Sequence, residues 1–172
     1  MLVKITPQKY DVELDIAYAT TNNFTKQVIY DNNECYLHSV AAEKLKKSCE
    51  FAKQCGFKIK IFDGFRPTSA QQKLWDHTPD PNFVTPPSKG SPHSRGVAID
   101  LTLLDKNGEE LDMGTGFDNF TEKSFHGNTQ ISATAQLNRK ILLGIMTASG
   151  WDFFENEWWH YQLFNAKMYP LL

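Results

Sequence analysis

Ser91-Pro92-His93-Ser94-Arg95-Gly96-Val97-Ala98-Ile99-Asp100 is the stretch on which the reading of this chain turns. It leaves a proline-rich segment, passes Arg95-Gly96 and enters a β-prone run, Val97 to Leu104. His93 and Asp100 are seven residues apart and would face opposite sides of one straight strand. A turn at Arg95-Gly96 removes that conflict, because glycine tolerates the backbone angles of a reversal. His93 then sits on the loop and Asp100 on the strand, with their side chains meeting. Asp100 stands amid Val97, Ala98, Ile99 and Leu101. A carboxylate in an apolar strand costs several kcal/mol unless it is paired or bound to a metal. An edge-strand aspartate facing water beside a surface histidine is the competing reading.

Upstream, His38 to Gly56 reads as a helix, with Val40, Leu45, Phe51 and Ala52 on roughly one face and Gly56 ending it. Phe57 to Phe62 alternates apolar residues with lysines, which is strand patterning. Thr68 or Ser69 can cap a second helix running to about His77, with Gln71 or Gln72 closing a capping box. Thr78 to Pro92 holds five prolines and reads as a loop. Downstream, Asp105-Lys106-Asn107-Gly108 reads as a hairpin turn rather than a calcium site, with Glu110 beginning a returning strand. Ala133 to Ser149 is a third helix, capped by Ser132 and closed by Gly150. Trp151 to Phe164 reads as a last strand with its lead-in. Strands gather toward the second half, so the expected fold class is α+β, with helices packed on a mainly antiparallel central sheet.

At 172 residues the chain fits a single domain spanning 1–172, large enough for a core without disulfide staples. Its 41% hydrophobic and 22% charged residues are ordinary for a globular protein. A net charge of -2 and the lack of a Lys/Arg cluster argue against a nucleic-acid partner and favour a small molecule. Cys35, Cys49 and Cys55 match no zinc-finger or redox spacing and are read as reduced thiols, most of them buried. The first residues carry no signal-peptide pattern, and no run of about 18 apolar residues exists to span a membrane. A cytoplasmic location is the expectation, or a periplasmic one if a leader has been trimmed away.

A second chemical segment is Glu157-Trp158-Trp159-His160, crowded by Phe153 and Phe154. A lone histidine among aromatics is usually a core residue with a partner. Here His93, Asp100 and His160 together offer two imidazoles and a carboxylate. Catalytic zinc takes three such ligands and leaves the fourth position for water. Glu157 could be held beside that water, its pKa raised by the aromatic wall, ready to shuttle protons. In a third segment, Asp63-Gly64-Phe65-Arg66-Pro67, proline holds Arg66 extended ahead of the next helix. A solvated arginine is the usual fate of such a residue; an oxyanion partner is the functional alternative. His38, His77 and His126 belong to no motif, and Gly114-Thr115-Gly116 lacks the lysine of a phosphate loop.

Taken together, these segments resemble the zinc D-Ala-D-Ala peptidases, which include D,D-carboxypeptidases and D-alanyl-D-alanine dipeptidases and share their fold with the hedgehog signalling domain. The dipeptidase branch is most similar. Its marks are Tyr18-Ala19-Thr20, Asn23-Phe24-Thr25, Asp63 to Pro67, His93 to Thr102, Met113-Gly114-Thr115-Gly116-Phe117-Asp118 and Glu157 to His160. The resemblance implies one zinc ion on His93, Asp100 and His160, with Glu157 as general base and Arg66 as transition-state stabiliser. It implies that Tyr18, Ser91 and Asp118 line the substrate site, Asp118 at the ammonium and Ser91 at the carboxylate end of a small D-amino-acid dipeptide. Pro92 stands where the family often has a small polar residue, and the loop from Thr78 to Gly90 is short. A D,D- or L,D-carboxypeptidase acting on longer cell-wall peptides is the alternative within enzymes. Carboxypeptidase relatives often carry Pro-Trp where this chain has Trp158-Trp159. A non-catalytic zinc-binding module is the alternative outside them.

Overall fold

In chain order the elements are β1 (Leu2–Ile5), α1 (Pro7–Tyr10), β2 (Val12–Leu14), β3 (Cys35–His38), α2 (Ser39–Gln54), β4 (Lys58–Asp63), α3 (Thr68–His77), β5 (Ala98–Leu104), α4 (Ala133–Ala148), β6 (Asp152–Phe153) and β7 (His160–Gln162). They are taken from a computed structural model that describes residues 1–172. The main sheet has the order β2-β4-β5-β7-β6, and only the β2–β4 pair is parallel. β1 and β3 form a separate antiparallel pair. The fold is therefore the expected α+β arrangement on a mainly antiparallel sheet.

β5 is the central strand and is buried along its whole length. Alternation sorts its side chains. Ile99, Leu101 and Leu103 enter the main hydrophobic cluster with Leu45 of α2 and Leu142 and Met146 of α4. Asp100 and Thr102 project to the opposite face. The carboxylate that looks misplaced in the sequence is thus on the side of the sheet away from α2 and α4. Trp151, at the end of α4, is fully buried and donates its indole N–H to Ser48 Oγ at 3.0 Å, tying α4 to α2. Burying a side chain of this kind stabilises the fold by roughly 1.5–3 kcal/mol or more.

Several local expectations change. α3 starts directly after Pro67, whose fixed φ suits that place, and neither Thr68 nor Ser69 provides a side-chain cap. Gln71 closes no capping box because it bonds Arg66 and the Thr85 carbonyl instead. Glu110 makes one bridge to Leu104 but no strand. Trp151 to Phe164 holds two short strands, β6 and β7, which pair with each other. Ser132 does cap α4, accepting from Ala135 N at 3.0 Å, and Gly150 follows it at φ +92°. The cysteines are unpaired; Cys35 is buried, Cys49 half-buried and Cys55 exposed. No helix is long and apolar enough to cross a membrane.

Candidate active site

The polar face of β5 opens into a cleft. Asp100 lies directly opposite His160 of β7 in the strand register. On the other side a bulge in β4 places Asp63 opposite Asp100. His93 arrives from a single 3-10 turn, His93–Arg95, which ends at Gly96 with φ +67°. This is the reversal expected from the sequence. A side chain on Gly96 would also meet Leu2 and the His38 backbone, with a Cβ only 2.8 Å from the leucine methyl.

Three donors converge. His93 Nε2 is 3.2 Å from His160 Nδ1 and 3.3 Å from Asp100 Oδ2, and His160 Nδ1 is 3.0 Å from Asp100 Oδ1. Ligands at about 2.05 Å from a tetrahedral zinc ion stand about 3.3 Å apart, so the spacing fits. The outer contacts fit too. His93 Nδ1 donates to the Gly64 carbonyl at 2.8 Å, and His160 Nε2 lies 3.1 Å from Gln162 Oε1. Each bond fixes the tautomer that turns the other ring nitrogen's lone pair inward. Two lone pairs and a carboxylate then face one another, an arrangement that a cation relieves. Without a cation, protons fill that role: burial works to raise the Asp100 carboxyl, but charge on His93 and hydrogen bonds donated by His160 and His93 hold it well below the usual carboxylate range.

Gly64 carries its own constraint. A Cβ there would lie 2.8 Å from both Cys35 Sγ and the Tyr36 carbonyl, so only glycine lets β4 end against β3 and offer its carbonyl to His93.

Arg66 is 8% exposed, which overturns the solvated reading of this residue. Its guanidinium donates through Nε and NH2 to Asp63 Oδ2 at 3.1 and 2.7 Å, and through NH1 to Gln71 Oε1 at 2.9 Å. It lies over the Tyr18 ring, 5.0 Å from the centroid. NH2 also faces Asp100 Oδ2 at 3.9 Å. Burial works against its charge, but Asp63 holds the guanidinium above its ordinary value. Asp63 is fully buried and also accepts from Tyr30 Oη at 2.6 Å.

Glu157 sits on the turn before β7, with Oε2 3.9 Å from His160 Nδ1. Burial pushes its carboxyl up to about 8, against the pull of His160. Across the cleft Asp118 holds φ +56° and accepts from Tyr18 Oη at 2.9 Å. Burial and then Asp100 push it, too, up to about 8. Ser91 is buried, and its Oγ accepts from His93 N at 3.2 Å. Every site residue named from the sequence lines one cavity of about 260 Å³. Phe24, Phe83, Phe120 and Phe154 wall it, and Phe120 stacks on Phe83 at 4.9 Å.

Sequence reasoning passed over Asp63, Gln71 and Gln162. Gln162 had a readable signal, since it lies two residues beyond His160 on a strand and must share its face. Asp63 lay inside a quoted motif but gave no sign that it would be buried. Gln71 gave none at all.

Against known proteins, the profile described as D-ala-D-ala dipeptidase matches residues 2–170. A D-alanyl-D-alanine dipeptidase of Escherichia coli is 44% identical over 94% of this chain and 84% of its own length. One from Enterococcus faecium is 37% identical over 94% of this chain and 90% of its own. A vancomycin-resistance D,D-pentapeptidase, VanY, solved in complex with Zn(II), superposes with a TM-score of 0.51 at 17% identity, covering 94% of this chain and 83% of that one. At that identity the superposition speaks for the fold. A matched profile that spans nearly the whole chain, and close relatives from different bacteria, give one conclusion: this chain belongs to the D-Ala-D-Ala dipeptidase family of peptidases.

Proposed function

We propose that residues 1–172 form one zinc peptidase domain whose D-Ala-D-Ala dipeptidase activity is carried by Glu157 and Arg66 beside a His93, Asp100 and His160 metal site. The observation that carries this reading is the convergence of three buried donors at zinc-compatible spacing beside a carboxyl that burial keeps protonatable near neutral pH. When bound, zinc supplies a Lewis acid that polarises the scissile carbonyl and makes water acidic enough to attack. Glu157 takes the proton from the attacking water and later delivers it to the leaving amine. Its raised pKa suits both transfers. Arg66 faces the carbonyl oxygen with a charge that Asp63 and Gln71 keep fixed. Asp118, oriented by Tyr18, receives the substrate ammonium, and Ser91 meets the carboxylate end.

The cleft size supports a small substrate. Its 260 Å³ falls below the roughly 300–1,000 Å³ of sites for drug-sized ligands. D-alanine release from D-Ala-D-Ala should far exceed release from N-acetyl-D-Ala-D-Ala, which offers Asp118 no ammonium. Equal rates would favour the carboxypeptidase alternative, and no release from either would favour a binding module.

Arg66→Met should lower kcat/KM about 10²–10³-fold by removing the oxyanion donor. It should also lower Tm, because Asp63 loses its charge partner; breaking a buried pair from one side costs up to about 3–5 kcal/mol. Arg66→Lys should recover part of both. An Arg66→Met enzyme with wild-type kcat/KM would remove Arg66 from the reaction.

Asp118 gives a pH signature. Its carboxyl titrates near 8 in the free protein and near 3.8 in an unfolded chain. Between those values the folded protein holds a proton that the unfolded chain lacks, so this group's contribution to stability falls as pH rises. A docked ammonium favours the carboxylate, so binding below pH 8 expels a proton. In a hydrolysis-dead variant, affinity for the dipeptide should tighten from pH 6 to 8, by at most about tenfold per unit. Asp118→Asn should bind more weakly and lose that slope, as titration calorimetry would reveal.

A further inference from the structure

Arg139 of α4 is 2% exposed and makes no ion pair. A buried cation without an anion is costly and is tolerated where its donors are satisfied. Its fork gives them to one loop at two places. Nε donates to the Met113 carbonyl at 2.6 Å and NH1 to the Phe125 carbonyl at 3.0 Å, while NH2 reaches Thr115 Oγ1 at 3.4 Å. Asp118 lies between those anchor points. Its backbone sits at φ +56°, in the left-handed region that aspartate tolerates better than most side chains.

The same loop is sewn to the turn that carries Glu157. Trp158 Nε1 donates to Thr115 Oγ1 at 2.8 Å, and Trp158 N donates to the Ser124 carbonyl at 3.1 Å. His126 N donates to the Glu155 carbonyl at 2.9 Å. The guanidinium also lies 5.9 Å from the Trp158 ring centroid. One side chain on a rigid helix therefore braces both the loop bearing Asp118 and, through Thr115 and Trp158, the turn bearing Glu157.

We propose that Arg139 is a positioning residue that sets the distance between the ammonium-binding carboxylate and the general base, and with it the preference for a free dipeptide. This role rests on the assignments of Asp118 and Glu157 made above. Arg139 touches neither substrate nor metal. Its effect is on where two other groups stand, and a displacement of about 1 Å at such groups costs about 10²-fold in rate.

The test compares kcat/KM for D-Ala-D-Ala with that for N-acetyl-D-Ala-D-Ala in Arg139→Met, Arg139→Lys, Thr115→Val and Asp118→Asn, with Tm and zinc content measured alongside. Thr115→Val removes the hydroxyl that joins Arg139 NH2 to the Trp158 indole while leaving both carbonyl anchors and the backbone bonds between loop and turn, and it decides the matter should Arg139→Met fail to fold. The free-over-acylated ratio is expected to drop about tenfold or more in Arg139→Met and Thr115→Val, with zinc retained, and less in Arg139→Lys. Adding Arg139→Met to Asp118→Asn should lower the ratio little further, since the ammonium contact is already gone. A brace with no part in positioning lowers Tm and leaves the ratio at its wild-type value. That result in folded, zinc-loaded variants, with Asp118→Asn still collapsing the ratio, overturns the proposal alone. An unchanged ratio in Asp118→Asn overturns the ammonium site on which it rests.

Discussion

Glu157→Gln is expected to lower kcat on D-Ala-D-Ala toward the upper end of the 10²–10⁴-fold range typical of lost acid–base catalysis, with zinc content unchanged. Glu157 is not one of the three converging donors; its nearer oxygen stands 3.9 Å from His160 Nδ1. The amide keeps the size of the side chain and loses only its capacity to exchange a proton. The same substitution should not destabilise the protein and should help it in mild alkali. In the metal-free protein, the form in which the melts are run, the folded carboxyl titrates near 8, well above the 4.5 of an unperturbed one, so ionising it opposes folding as pH rises, and glutamine never ionises. Steady-state kinetics, metal analysis and thermal melts at pH 6 and 9 check all three statements. A variant that turns over near the wild-type rate would sink the role given to Glu157.

Asp100→Asn should cost both the metal and the activity. Asp100 is the only anion among the three donors, and it faces both imidazoles, at 3.0 and 3.3 Å. Asparagine preserves shape and leaves the backbone pairing of Asp100 with His160 and Asp63 intact. The loss therefore reports donor chemistry rather than unfolding. Zinc affinity should fall by more than the roughly 10–100-fold seen when a supporting hydrogen bond to a ligand is removed. D-alanine release should drop to background at stoichiometric zinc. Dialysis against a mild chelator followed by metal analysis measures the first, and an amino-acid release assay the second. Full zinc retention in Asp100→Asn would exclude this aspartate from the site.

The parts of this protein that the sequence made legible are those with local causes. α2, α4 and β5 carry strong periodicity, clear end signals or an unbroken apolar run, and they lie where expected within one or two residues. The reversal between His93 and Asp100 was readable because a single glycine had to supply it. The three converging donors were readable because an aspartate in an apolar strand needs a reason to be there. β1, β2 and β3 were not legible. Each is three or four residues long, and each is held by a partner far away in sequence: β2 by β4, and β1 by β3. Arg66 was misjudged on its local sequence for the same cause. Its burial depends on Asp63, Gln71 and Tyr18, and nothing in its neighbours announces Tyr18, which comes from the N-terminal third. Arg139 gave even less warning, since on a helix pattern an arginine reads as a solvent-facing residue.

Asp100 and His160 occupy facing rungs of the β5–β7 ladder, and the amide of Leu101 donates to the Trp159 carbonyl next to them. Two of the three proposed zinc donors are thus spaced by the backbone of the molecule's innermost strands, not by mobile chain ends. Stripping the ion should leave a socket of nearly finished shape, so reloading resembles filling a mould more than organising a loop. The chelating centre is then about as durable as the protein itself, and it fails when the sheet fails.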